Sequence, residues 1–265
     1  MDHPRLAEFI IATIKQNVAH ADTLTAYREP LIGFASADDP QFADLRRLAE
    51  PTHMLPQDLL PGGRSVVSFF VPFDRQVVKA NAQGRDEVAR EWAVAYVETN
   101  ALIGRITAGL IEMLGERGVR AAAEPATDNF DPVTLISRWS HKSVAVIAGL
   151  GSFGLHHMVI TDAGCAGRFG SVVIDAELPV HKSEPKERCL YYHDGSCVAC
   201  VSRCPMGALD AEDGIDKQRC WARCLKVSRQ YADVGQAEVC GKCAMGPCAL
   251  KNPVESSARS QQVEV

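Results

Sequence analysis

The sequence predicts a mixed α/β (α+β) fold in two unequal parts, and three observations carry the prediction. Short runs rich in β-branched and aromatic residues, at 31–36, 65–71, 158–161 and 171–174, have the length and composition of buried strands. Between residues 86 and 115 the side chains of Val88, Trp92, Ala95, Leu102, Ile103, Ile106, Leu110 and Met113 recur at helical spacing. Nine of the ten cysteines fall between Cys189 and Cys248, so the last quarter of the chain answers to a different chemistry. The expected divisions are an α/β body over 1–180, a cysteine-dense part over 181–253 and a polar tail over 254–265.

Taken in order, Pro4 opens a first helix, because a missing N–H costs nothing in a helix's first turn. Leu6, Phe9, Ile10, Ile14 and Val18 give that helix one apolar face. LIGFAS at 31–36 reads as a strand, and the acidic, proline-dotted stretch of 37–63 as a loop with one short helix around 42–48. Pro61-Gly62-Gly63 turns the chain into the buried strand of 65–71. The long helix stops at Gly115 or Gly118. A strand is expected at 119–124, followed by a loop carrying Glu124, Asp128 and Asp131. Acids in a loop ordinarily face solvent or cap turns, and Asp131 is the candidate catalytic acid among them. A helix from about Arg138 then runs into Gly149, Gly151 and Gly154, ahead of the strand at 158–161, a glycine-rich turn and the strand at 171–174.

The G-x-G-x-x-G spacing of Gly149, Gly151 and Gly154 invites a dinucleotide reading. That fingerprint requires a strand before the glycines and a helix after them, and the expected order here is the reverse. The glycines instead permit positive φ or a close approach to something bulky, whether a cofactor or a packed neighbour.

With 28 basic against 33 acidic side chains, the formal charge of -5 argues against a surface built mainly for phosphate backbones. No apolar run approaches the roughly 18 residues of a membrane span, and the opening MDHPRLAEF has no basic-then-apolar export pattern. A cytoplasmic protein with no membrane partner is the expectation, and reducing conditions suit so many thiols.

Cys197, Cys200 and Cys204-Pro205 form C-x2-C-x3-C-P, three quarters of the bacterial ferredoxin run, in which the Cys before Pro serves the other cluster. Two 4Fe-4S clusters need eight thiolates. A ferredoxin-like crossing assigns Cys197, Cys200, Cys248 and a fourth ligand to the first, and Cys204, Cys220, Cys240 and Cys243 to the second. Where the run would place its leading Cys, three residues before Cys197, stands Asp194. Cys189, five residues further upstream, is the nearest replacement, and whether Cys189 or Asp194 completes the cluster stays open. A structural zinc site explains two C-x2-C pairs but leaves cysteines over and gives no reason for Cys-Pro. A disulfide framework belongs to short secreted chains. Cys224 is left as a spare thiol or substitute ligand, and Cys165 as a small buried residue.

With AGLGSFG at 148–154, PGGRSVV at 61–67, the G-S-C-x2-C-x3-C-P run, the isolated Cys220 and the later C-x2-C together, the chain resembles the epoxyqueuosine reductase family. That family is similar in turn to reductive dehalogenases and, in fold, to cobalamin-processing chaperones. The resemblance covers most of residues 30–250. It implies a nitroreductase-like domain holding cobalamin, followed by a ferredoxin-like domain with two 4Fe-4S clusters. The activity implied is reduction of a substrate by single electrons drawn from a donor such as ferredoxin or flavodoxin. A tRNA is the family's substrate, and this chain's own substrate is unassigned. Gly149, Gly151, Gly154, His156 and His157 become candidate cofactor contacts, and His141 joins Asp131 as a candidate proton donor. A non-catalytic cobalamin-binding or electron-carrier protein is the alternative, as is a flavin in place of the corrinoid. The chain departs from the family at Asp194 and at His156-His157, where Lys-Asn is common. It also lacks a clean counterpart of the family's catalytic Asp, Asp131 standing four residues early, and the helical-repeat extension of some relatives.

Overall fold

The structure, a computed structural model, describes residues 3–180 and 186–255. The chain opens with α1 (His3–Ala19), β1 (Leu31–Ser36), α2 (Pro40–Leu48), α3 (Pro56–Leu59), β2 (Ser65–Pro72) and α4 (Arg75–Ala82). It continues with α5 (Arg90–Gly115), β3 (Ala121–Ala122), α6 (His141–Ile147), β4 (Gly151–Phe153), β5 (Val159–Thr161) and β6 (Gly167–Ile174). The cysteine-dense part adds α7 (Leu190–Asp194), α8 (Ala199–Arg203), β7 (Leu209–Asp210), β8 (Gly214–Ile215), α9 (Lys217–Gln230) and one 3-10 turn at Lys242–Ala244. Expectations for residues 181–185 and 256–265, which include most of the tail, lie outside the described residues.

β1, β2, β6 and β3 form an antiparallel sheet in that order. Every residue of β2 is buried, as its unbroken apolar run requires of a strand covered on both faces. Helices α1 and α5 cover one face through Ile10, Ile14, Ile103, Ile106 and Leu110 against Val67, Phe69 and Val172. The other face receives α2 and α6, where Phe42 stacks on Trp139 with ring centroids 6.2 Å apart. Two glycines of β6 make room for the aromatic rings of β2: a Cβ on Gly170 would run into the Phe69 ring, and one on Gly167 into that of Phe70.

Several boundaries move from those expected. The long helix begins at Arg90 rather than 86, and Val88 packs with Trp92 and Val227 instead of on the helix's sheet-facing stripe. Leu114, not Met113, is the buried residue of its last turn. The strand expected at 119–124 contracts to two residues. The helix expected from Arg138 starts at His141, because the Ser140 side chain caps it by accepting from Ser143 N–H. The glycine-rich turn before 171 is the first half of β6.

The cysteine-dense part is sewn into the body. Cys165 and Ala166 donate N–H to the carbonyls of Cys248 and Ala249 at 2.9 and 3.1 Å. Arg28 ties three segments, donating to Phe73 O, Ala163 O and Leu250 O. One apolar cluster draws Phe73, Trp92 and Ala95 together with Val227, Ala244, Met245 and Ala249.

Candidate metal centres

The eight predicted metal ligands sort into two cavities. Cys189, Cys197, Cys200 and Cys248 line a small one of about 20 Å3, beside Leu155, His156 and Pro247. Cys204, Cys220 and Cys240 line a larger one of about 290 Å3 with Cys224, Trp92, Lys142, His157, Arg168 and Arg223. Cys243 borders both.

Local chemistry explains how the first group assembles. Cys189 sits at the N-cap of α7, and Gly195 ends that helix in the left-handed conformation at φ 75°. One short helix therefore carries the chain back from Cys189 to Cys197. Asp194 lines neither cavity. Its exposed carboxylate accepts from Ser196 N–H at 2.9 Å, and bonds to Ser196 hold its pKa below the ordinary aspartate value.

In the second group Cys220 and Cys224 lie one turn apart on α9. The neighbouring Cys224 thiol holds Cys220 down to about 7, while Cys224 itself is pushed up. Burial raises Cys240 and Cys243 as well, and in the first group it raises Cys200 to about 11. Thiols so placed are proton-bearing unless something positive replaces the proton, which is how thiolate metal sites behave. Positive groups surround this cavity: Lys142, Arg168 and Arg223 face it, against one acid, Glu238. Two buried donors on its wall, Trp92 Nε1 and Arg223 Nε, have no hydrogen-bond partner among the described residues. Arg223 Nη2 donates to Asp86 O, and its guanidinium lies beside Cys240.

Lys242, between Cys240 and Cys243, is 1% exposed. Its ammonium donates to Asn81 O, Gln83 O and Gly84 O at 2.7, 2.9 and 3.3 Å, at the C-terminal end of α4 where carbonyls lack helical partners. Asn81 returns the contact, donating from Nδ2 to Cys240 O at 3.1 Å.

The predicted cofactor contacts divide. Gly149, at φ 75°, ends α6. A Cβ on Gly151 would strike Ile160 O, and one on Gly154 would lie 2.9 Å from His156 Cε1 and from Ile160 Cδ1. The three glycines thus accommodate the chain itself, none borders a cavity described here, and the helix-glycine-strand order rules out a dinucleotide fold. His156 and His157 do line the larger cavity.

Neither candidate acid faces the thiols. Asp131 is exposed and accepts from Val133 and Thr134 N–H at 2.9 and 2.7 Å, forming a turn. His141 is buried with both ring nitrogens engaged: Nε2 lies 3.0 Å from Pro125 O and must donate, so Nδ1 accepts from the Ser171 hydroxyl at 2.8 Å. Ser171 Oγ in turn accepts from Trp139 Nε1 at 3.0 Å. Burial lowers His141 to about 4, so the imidazole is neutral at physiological pH.

Sequence reasoning did not single out Arg223 or Lys242, and placed Trp92 only on the apolar face of the long helix. The available signals were positional: Arg223 lies three residues after Cys220 on one helix, and Lys242 inside the C-x2-C element.

No family model matches the chain. It is 38% identical over 93 residues to the epoxyqueuosine reductase of Yersinia pestis, which is 35% of this chain and 21% of that one. It is 30% identical over 166 residues to that of Salmonella typhimurium, 62% of this chain and 40% of that one. The chain is similar to epoxyqueuosine reductases. Its matches span less than half the length of these curated relatives, which are enzymes. An epoxyqueuosine reductase solved with an epoxyqueuosine-modified tRNA stem loop superposes over 94% of this chain and 69% of its own, with a TM-score of 0.59 at 20% identity. A reductive dehalogenase described as B12-dependent superposes over all of this chain and 34% of its own, with a TM-score of 0.62 at 17% identity. At these identities the likeness is one of fold. Among the described residues no helix is long and apolar enough to cross a membrane.

Proposed function

We propose that the chain is an iron-sulfur oxidoreductase that directs single electrons through two 4Fe-4S clusters to a bound cobalamin for reduction of a substrate. The observation that carries this reading is the sorting of eight cysteines into two cavities with Cys243 on the border. Cys189, Cys197, Cys200 and Cys248 would hold the first cluster, and Cys204, Cys220, Cys240 and Cys243 the second. The donor set fits: soft sulfur ligands select such clusters. The buried N–H groups of Trp92 and Arg223 offer the hydrogen bonds that cluster sulfurs accept. When bound, these groups supply the one-electron chemistry, and the protein sets orientation, charge and solvent access.

The cobalamin half rests on a neighbouring cavity of about 230 Å3, which shares Lys142, Met158, Gly167 and Arg168 with the larger thiol-lined one. Lys142 and Arg168 would meet amides at a corrin edge there. Lys142 donates from Nζ to His157 O at 2.9 Å, and burial pushes its pKa below the ordinary lysine value. With Asp131 and His141 tied into local structure, Lys142 is the proton-bearing group best placed to serve a reduced product. A ferredoxin or flavodoxin would supply electrons, and a modified tRNA is the substrate to test first.

Anaerobic purification with measurement of iron, sulfide and cobalt tests this reading. About eight iron atoms per chain with bound corrinoid support it; zinc in place of iron overturns it. A second reading, a cobalamin-binding or electron-carrier protein serving a partner, is favoured by the engagement of Asp131 and His141. Turnover of epoxyqueuosine-containing tRNA separates the two, since a carrier forms no queuosine.

A further inference from the structure

The backbone fixes the tautomer of a histidine that touches one candidate ligand. Met158 N–H donates to His156 Nδ1 at 3.1 Å, so Nδ1 is the acceptor and the ring hydrogen sits on Nε2. His156 Nε2 lies 3.3 Å from Cys248 Sγ. The ring is 4% exposed, and the absence of a side chain on Gly154 makes room for it. His156, Cys165 and Cys248 gather their ligand atoms within 4.8 Å of one another, which resembles a corner of a mononuclear metal site. The tautomer argues against that, because a nitrogen carrying hydrogen has no lone pair for a metal. The Cys165 thiol, 3.6 Å from Ala244 O and 3.8 Å from Cys248 Sγ, completes the surroundings of this sulfur as a second weak donor.

We propose that His156 is a positioning residue that donates its Nε2–H to the Cys248 sulfur and thereby raises the reduction potential of the first cluster. This rests on the cluster reading above. Reduction places one more negative charge on a cluster and its thiolate sulfurs, so a fixed donor stabilises the reduced form more than the oxidised one. The electron comes from the external single-electron donor, and the hydrogen stays on Nε2. Among the described residues, Cys248 is the candidate ligand with an imidazole donor within hydrogen-bonding distance. On the second centre the corresponding sulfur contact is a backbone one, Ala208 N–H to Cys204 Sγ at 3.2 Å.

The experiment compares the anaerobically reconstituted full chain with its His156→Leu and His156→Gln variants. Iron and sulfide content, an EPR-monitored redox titration and pulsed EPR for exchangeable protons at the reduced clusters are the readouts. In His156→Leu one cluster's potential falls while the other's stays, at unchanged iron content, and an exchangeable proton coupling present in the wild type disappears. His156→Gln, whose amide N–H reaches a similar point, restores most of the potential. Unmoved potentials in a fully loaded Leu variant overturn the inference alone. If the Leu variant loses iron, wild type carrying 15N-labelled histidine decides: an imidazole nitrogen coupled to a reduced cluster supports the inference, and its absence overturns it. A wild-type chain that takes up no iron and sulfide overturns the cluster reading, and this inference with it.

Discussion

Replacing Lys242 by methionine separates a structural ammonium from the thiols on either side of it. In the structure the charge is wholly buried and makes three hydrogen bonds to the carbonyls that end α4. A cation at a partly buried helix C-terminus is worth up to about 2 kcal/mol. Leaving buried carbonyls without a donor costs about 1–3 kcal/mol more. Methionine recovers some of the stem's packing, so a net loss of about 3 kcal/mol is expected. For a chain of this size about 2 °C of melting temperature follows each kcal/mol, giving a fall of about 6 °C. The loss has a chemical readout as well, because Asn81 and Lys242 together clip Cys240 and Cys243 to the body. Iron content should drop from about eight to about four atoms per chain, with one cluster signal lost and the other kept. Thermal melting and iron analysis of Lys242→Met beside the exposed-site control Lys226→Met provide the test. A Lys242→Met protein that melts within about 1 °C of wild type with full iron would refute the clip.

Further outcomes follow from the same geometry. Cys189→Ala should lose the first cluster and about half the iron, whereas Asp194→Ala should keep both clusters; the reverse pattern in iron analysis would make Asp194 the ligand. Gly241 has φ 68° and lies against the Trp92 ring, so Gly241→Ala meets backbone strain and a clash together. It should cost about 3 kcal/mol by thermal melting. His141 imposes an acid limit. Its folded pKa, about 4, lies below the unfolded value of 6.5, so its stabilisation is full above pH 6.5 and is lost as pH falls toward 4. That loss amounts to about 3 kcal/mol, and His141→Gln should flatten the stability-versus-pH profile over this window relative to wild type.

Much of the fold was legible because periodicity is a local property. The apolar face of α1, the buried run of β2 and the stripe from Trp92 to Leu110 each report their element through the spacing of neighbouring residues. Legibility failed where a distant partner decided. Strand 119–124 shortened to the two residues that pair with Val173 and Ile174 on β6. Val88 left the long helix to pack under α9, and the glycine-rich segment before 171 became strand because β2 supplied a ladder as far as Pro72. At the candidate centres the order and number of thiols were readable, as was the departure at Asp194. The ring tautomers of His141 and His156 were not, since each depends on a hydrogen-bond partner invisible in spacing.

By itself the sequence determined that nine thiols would crowd one segment, that a Cys-Pro would end the C-x2-C-x3 run, and that a helix would precede the glycines of 149–154. Those are facts of order along the chain. The tertiary structure decided which thiols share a cavity, that Asp194 caps a turn while Cys189 lines the first cavity, that His156 Nε2 meets the Cys248 sulfur, and that the Arg223 guanidinium lies beside Cys240. The physical reason is that hydrogen bonding, burial and charge act over a few ångströms of space, and residues such as His156 and Cys248 become neighbours only when the whole chain has folded.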